Sequence, residues 1–496
     1  MSKVKFGWAE ESIMPVGKNI RLAGQFYERI SNAVDTEITV TAFAVESGND
    51  QMIICSCDLG GVSVSLNKEV KEILKDKLPI SVDKVIINAT HTHASHVYTQ
   101  SNGMGTANSL QYLKSVVPKD MEYVPHVSGN DYLDPDDAKD LIANAIVNAV
   151  LKAWDNRSEG LYQNAFGRAV IGMNRRVCFD DGSAQMWGDT NSANFEMLES
   201  GNDSGIELIY VFDTDKNLTG VVANVACPSQ VMEHRNYISA DYWGRLKQHL
   251  AKKFGRKIFV LGLCSAAGDQ CPRDMIRWVN GETPVDDPNI ERPDYIERRA
   301  DPSMFDLSGL NVVGRRLANE VIGVYEELSD NFKDEGLLVH ETFTLKMPLR
   351  RVTMKEYNDS LEKINSFIDK NRGKKINYRD NAKLHIYSGN VVRYELQHTV
   401  DTFDNEIHVI RFGDIAIATN PYELFLDYGN RIRARSRAKQ TILIQLACGS
   451  FGYLPTERAE NGSHYSAYVS SGYAGHVGGD LLVRETVSRI NEKFKD

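Results

Sequence analysis

Val85 to His96 reads Val-Ile-Ile-Asn-Ala-Thr-His-Thr-His-Ala-Ser-His, a short apolar run that ends in three histidines within six positions. Imidazole ligates zinc-like metals and moves protons near neutral pH. In an extended chain, residues two apart share a side, so His91 and His93 can converge on one ion or substrate. No motif claims His96. Cys227, Glu423 and Tyr453 add sulfur and oxygen donors, and with His91 they make a set suited to zinc or a similar borderline metal. No compact HExxH signature is present, so such a site must be assembled from distant segments.

Cys271 stands in Gly268-Asp269-Gln270-Cys271-Pro272, after the small residues Ser265 to Ala267. A tight loop of this kind can expose a nucleophile while turning backbone N–H groups toward an oxyanion. Arg175 and Arg176 could clamp a carboxylate or stabilise negative charge. Each candidate also has a plainer reading. Cys227 would be a buried thiol, Glu423 a first-turn acid of a helix, Cys271 an incidental loop cysteine and the arginines a solvated pair.

The elements that must position these residues follow from apolar spacing. Helices are predicted at 66–77, 136–154, 242–254, 309–328, 354–370, 423–435 and 480–493. Strands are predicted at 51–57, 84–89, 206–212, 219–226, 258–264, 407–419 and 441–446, with a weaker antiparallel addition at 337–349. Interleaved strands and helices with continuous Val/Ile/Leu runs predict an α/β fold: a central, largely buried mixed sheet with helices on its faces. Six of these strands end at Asp58, at His91 and His93, at Cys227, at the Ser265–Pro272 loop, at Glu423, and at Cys448 followed by Tyr453. Ligands of α/β sheets bind beyond the carboxyl ends of strands, so a single composite active site is expected there.

Composition narrows the class. The 496 residues are 42% hydrophobic and 25% charged, ordinary for a globular enzyme. A formal net charge of -10 argues against nucleic acid as a partner. No run approaches a membrane span, the N-terminus lacks a signal-peptide core, and seven cysteines in mostly apolar runs fit a reducing compartment, so a cytoplasmic location is expected. Neither an internal repeat nor a linker is evident, so residues 1–496 read as one domain, with a long loop or lid around 281–302.

Taken together, the ordered motifs resemble the catalytic domain of the neutral/alkaline (non-lysosomal) ceramidase family. They are Ala89-Thr90-His91-Thr92-His93, Asn174-Arg175, Ile238-Ser239-Ala240-Asp241, Ala267 to Pro272, the Pro421–Glu423 turn, and Tyr453 with Tyr465. They run through nearly the whole chain. The resemblance implies a zinc amidase that hydrolyses a linear N-acyl bond of a small or lipid-like substrate. It implies His91, Glu423 and Tyr453 as zinc ligands, and His93, Arg175 and Tyr465 around the reaction centre. Departures are also clear. The family's second zinc histidine falls on Cys227, and its serine before Pro falls on Cys271. No signal peptide or C-terminal immunoglobulin-like domain is seen, so the substrate need not be ceramide. An isomerase or lyase acting on a small hydroxy or sugar acid, and a non-catalytic metal- or ligand-binding protein, remain the alternatives, and a homo-oligomer stays open.

Overall fold

The computed structural model describes residues 3–98, 106–125, 131–277 and 306–495; the loop expected at 281–302 lies outside them. Three mixed sheets dominate. The first contains β1 (Val4–Ser12), β2 (Thr39–Ser47), β3 (Asp50–Cys57) and β4 (Val85–Ala89). The second contains β5 (Leu161–Arg168), β6 (Gly205–Phe212), β7 (Leu218–Val225) and β8 (Phe259–Cys264). The third contains β9 (Leu338–Pro348), β10 (Thr402–Phe412), β11 (Ile415–Thr419) and β12 (Gln440–Ile444).

All three sheets repeat one topology. The first three strands form an antiparallel meander, and the fourth pairs parallel with the third. A parallel pair needs a crossover, and a helix supplies it each time: Val64–Lys75, Asp241–Phe254 and Leu426–Arg435. A further helix then returns over each sheet: Pro135–Asp155, Leu307–Glu326 and His476–Lys493. The chain is thus built from three like units, a repeat of backbone topology that leaves no repeated sequence, because many apolar patterns satisfy the same plan.

The strands bury both faces. One face of all three sheets meets in a shared core that includes Phe6, Trp8, Ile54, Ile86, Val222, Leu263, Ile417 and Ile444. The other face packs under helices, as with Ile53, Cys55, Val85 and Ile87 beneath the helices of the first unit. Alternate residues therefore face alternate cores, both apolar, which is why Met52–Cys55 in β3, Val85–Ile87 in β4 and Ile442–Ile444 in β12 read as continuous hydrophobic runs. The α/β class with buried mixed sheets holds, with the sheet divided into three. The run read as one strand over 407–419 is a hairpin, and Gly413 at φ 56° makes its turn. Helices Thr106–Val116 and Tyr378–Leu396 escaped the periodicity reading; with Met354–Lys370 they form a small separate cluster. None of the helices among the described residues is long and apolar enough to cross a membrane. All seven cysteines are buried, unpaired thiols.

Candidate active site

The expected strand ends do meet. A cavity of about 330 Å³ lies at the exits of β3, β4, β11 and β12, lined by His91, His93, Glu423, Tyr453 and Tyr465 together with the 23–26 loop, Gly60, Gly61, His96 and Tyr98. That volume is at the small end of ligand sites.

His91 follows β4 at φ 62°, in the left-handed region that non-glycine residues avoid. The two rings therefore converge through a strained turn rather than along an extended strand. Their centroids are 4.9 Å apart and their planes nearly perpendicular. His91 Nδ1 lies 2.5 Å from the Gly60 carbonyl, which can only accept, so Nδ1 carries a hydrogen and Nε2 is the nitrogen that faces the cavity. Nε2 in turn is 3.3 Å from Glu423 Oε2. Burial pushes the Glu423 carboxyl up, but His91, Arg175 and the Tyr453 hydroxyl outweigh it and hold the group below its usual range. His91 Nε2 thus faces a carboxylate oxygen, an arrangement that requires a proton or a cation between them.

Glu423 does not open a helix. It lies in the two-residue strand Glu423–Leu424, paired in parallel with Tyr453–Leu454, so that Glu423 and Tyr453 are register partners. The helix begins at Leu426. Tyr453 Oη is 2.8 Å from Tyr465 Oη, and burial drives the Tyr453 phenol well above its usual range.

His93 Nδ1 is 2.8 Å from Glu233 Oε2. Burial pushes the imidazole well below its ordinary value and the Glu233 carboxyl above its own. Gln230 joins this pair to Arg175: its Nε2 donates to Glu233 Oε2 at 3.4 Å, and its Oε1 accepts from Arg175 Nη1 at 3.2 Å. Arg175 Nη2 also donates to the Tyr453 hydroxyl at 3.4 Å and to the Gly268 carbonyl at 3.2 Å. The arginines are no solvated pair. Arg175 is 2% exposed, and Arg176 is fully buried with Glu199 at 2.8 Å. Arg175 therefore stands behind Tyr453 rather than on the cavity wall.

Two expected residues face elsewhere. Cys227 packs among apolar residues of the second unit, and its thiol donates to the carbonyls of Ile171 (3.6 Å) and Pro228 (3.4 Å). It does not line the cavity, and burial drives its thiol well above the usual range. Cys271 belongs to the strand Gln270–Cys271, which pairs with Met173–Asn174 and so braces Arg175. Its thiol donates to the Arg273 carbonyl at 3.4 Å, lies outside the cavity lining, and is pushed by burial up to about 12. Metal fit can be judged on this geometry. A tetrahedral shell with bonds of about 2.0–2.3 Å has ligand–ligand edges of roughly 3.3–3.7 Å. His91 and Glu423 match that edge and Tyr453 adjoins them; Cys227 does not take part.

Several residues of the site gave little sequence signal. Glu233 is a buried acid in a loop, and only its contact with His93 marks it. Asp241, of the Ile238–Asp241 motif, accepts from the Met232 N–H at 2.9 Å and so fixes the loop that carries Glu233. Thr92 Oγ1 donates to the Ser239 carbonyl at 2.8 Å, tying the same motif to the histidines. Gly24, at φ 100°, lies so close to His93 that a Cβ would sit 2.3 Å from the ring. His96, which no motif claimed, borders the cavity with Nε2 2.7 Å from the Ile13 carbonyl.

Three like α/β units, with polar groups gathered at the strand exits, define the class of fold. Two solved structures share it. A ceramidase complexed with C2 superposes with a TM-score of 0.67 at 15% identity, over 99% of this chain and 76% of the other. The neutral ceramidase of Pseudomonas aeruginosa gives 0.64 at 16% identity, over 99% and 75%. No protein-family model and no curated protein matches the chain. At this identity the likeness carries the fold.

Proposed function

We propose that the protein is a metal-dependent hydrolase of a linear N-acyl amide bond. The observation that carries this reading is the shared cavity of two systems, the His91–Glu423–Tyr453 donor cluster and the His93–Glu233 pair, in a fold shared with ceramidases. His91, Glu423 and Tyr453 would hold zinc, which when bound supplies a Lewis acid for the amide carbonyl.

The chain's own groups handle the proton. With Nδ1–H donated to the Glu233 carboxylate, neutral His93 keeps Nε2 free to take a proton from an attacking water, and Glu233 stabilises the imidazolium that forms. The same imidazole then returns that proton to the leaving amine. Tyr465, whose hydroxyl lies beside that of Tyr453 on the cavity wall, can turn its one O–H to the developing oxyanion, and Arg175 behind Tyr453 supplies fixed positive charge. Attack by water leaves no step for the buried Cys271 thiol.

The test is hydrolysis of a panel of N-acyl amides of graded acyl length, ceramide included, by the zinc-loaded protein, read by mass spectrometry as gain of one water across two products. Activity that a chelator removes and zinc restores supports the reading. Absence of hydrolysis across the panel, or activity indifferent to chelation, overturns it.

A further inference from the structure

A second cluster of metal-binding side chains lies away from the cavity. Glu406 and His408 sit two residues apart on one face of β10, and Cys448 lies in the loop after β12. One ligand atom from each falls within 4.8 Å of the others, and none of the three lines the cavity. His408 Nε2 is 2.9 Å from Glu406 Oε1 and 3.5 Å from Cys448 Sγ. The second distance matches the edge of a tetrahedral shell, roughly 3.3–3.7 Å, and the first is a hydrogen-bond distance that must open by a few tenths of an ångström to admit an ion.

The hydrogen bonds around His408 set its tautomer. His340 Nδ1 is 3.0 Å from the Gln51 carbonyl and must carry the hydrogen, which leaves His340 Nε2 an acceptor. His408 Nδ1, 2.9 Å from that nitrogen, must then donate to it. Thr342 Oγ1 gives its own hydrogen to the Asp83 carbonyl at 2.6 Å, so toward His408 Nδ1, at 3.0 Å, it too is an acceptor. With its Nδ1–H so committed, His408 turns Nε2 toward a carboxylate and a sulfur, and at 2.9 Å a proton or a cation must lie between Nε2 and Glu406. Histidine ligands of metals are held by such a bond on their far nitrogen. The carboxylate is oriented as well, by Lys71 on one oxygen and by Asn67 Nδ2 on the other at 3.3 Å.

A catalytic triad is excluded by the same geometry. In a nucleophile–base–acid relay the acid and the nucleophile occupy opposite nitrogens of the ring, whereas here Cys448 and Glu406 both meet Nε2. Both groups meeting one nitrogen fits three donors around a shared point rather than a relay.

We propose that Glu406, His408 and Cys448 form a second metal site, selective for zinc-class divalent ions. Sulfur, imidazole and carboxylate together suit a borderline cation. Binding replaces the Cys448 S–H bond with an S–metal bond and releases that proton to solvent. The half-buried Glu406 gives the way in, and a water completes the shell. All three ligands come from the third unit, and the crossover helix of the first holds the carboxylate through Asn67 and Lys71, so the site lies where those two units meet.

Cobalt titration of the metal-free, full-length chain tests this, because a cysteine ligand gives a near-ultraviolet sulfur-to-cobalt charge-transfer band. The band is expected in the native chain and in Cys227→Ser, and lost in Cys448→Ser. Glu406→Gln, which keeps the side chain's shape, should weaken cobalt binding by at least the roughly 10–100-fold that even outer-shell changes cost. A native chain without the band, a band that survives Cys448→Ser, or unchanged affinity in Glu406→Gln overturns the proposal.

Discussion

His93 and Glu233 are 140 positions apart in the chain, yet His93 Nδ1 lies 2.8 Å from Glu233 Oε2. The backbones are joined at the same place, since the His93 N–H donates to the Ser229 carbonyl at 3.0 Å. The pair is thus fixed from both ends, the condition for an imidazole that must hold one tautomer through a reaction.

Glu233→Gln tests the pairing. The amide can present N–H to Nδ1 and so select the opposite tautomer, leaving Nε2 protonated and unable to act as a base. A fall in kcat of roughly 10²–10⁴-fold with little change in KM is expected, measured by steady-state hydrolysis. A change confined to KM would assign Glu233 to substrate binding instead.

Cys271→Ala should leave turnover close to native. The thiol is fully buried, bonded to the Arg273 carbonyl and set in the strand that braces Arg175. Its removal costs packing, on the order of 1 kcal/mol in a denaturant titration. Loss of a true nucleophile costs on the order of 10⁶ in kcat, so the two roles are far apart on one assay.

Gly24→Ala should damage both stability and activity. Left-handed backbone costs an L-residue about 1–2 kcal/mol, and the new Cβ, 2.3 Å from the His93 ring, must displace it. A lowered urea midpoint together with reduced kcat is expected; a midpoint shift with native kcat would show that His93 can relax without losing its function.

Asp241 gives the fold a pH dependence. Its carboxyl is fully buried, and burial pushes it up to about 7, above the usual value near 3.9 of an unfolded chain. Between about pH 4 and 7 the folded protein keeps a proton that the unfolded chain has released, so this group's contribution to stability falls as pH rises through that window. Asp241→Asn should flatten that part of the profile, read as the urea midpoint against pH. An unchanged slope would place the titration elsewhere.

The chain itself declared its α/β class, most of its strands and the histidine-bearing exit of β4, because a strand buried on both faces must be apolar throughout and must end where polar residues begin. Five of the eight expected site residues, His91, His93, Glu423, Tyr453 and Tyr465, reach one cavity by that logic. What sequence could not determine is where a side chain points once its backbone is placed. Cys227 and Cys271 stand at the right strand exits, but their thiols turn into the protein and bond to carbonyls. Glu233 came from a loop with no periodic signal, and Gly24 from an N-terminal segment with no motif. Both matter only because a segment distant in sequence packs against His93. The threefold repetition was hidden for a related reason: topology depends on strand pairing across sheets, and pairing leaves no fixed residue type behind. Spacing along the chain therefore selected the candidates, and packing in three dimensions decided which of them meet.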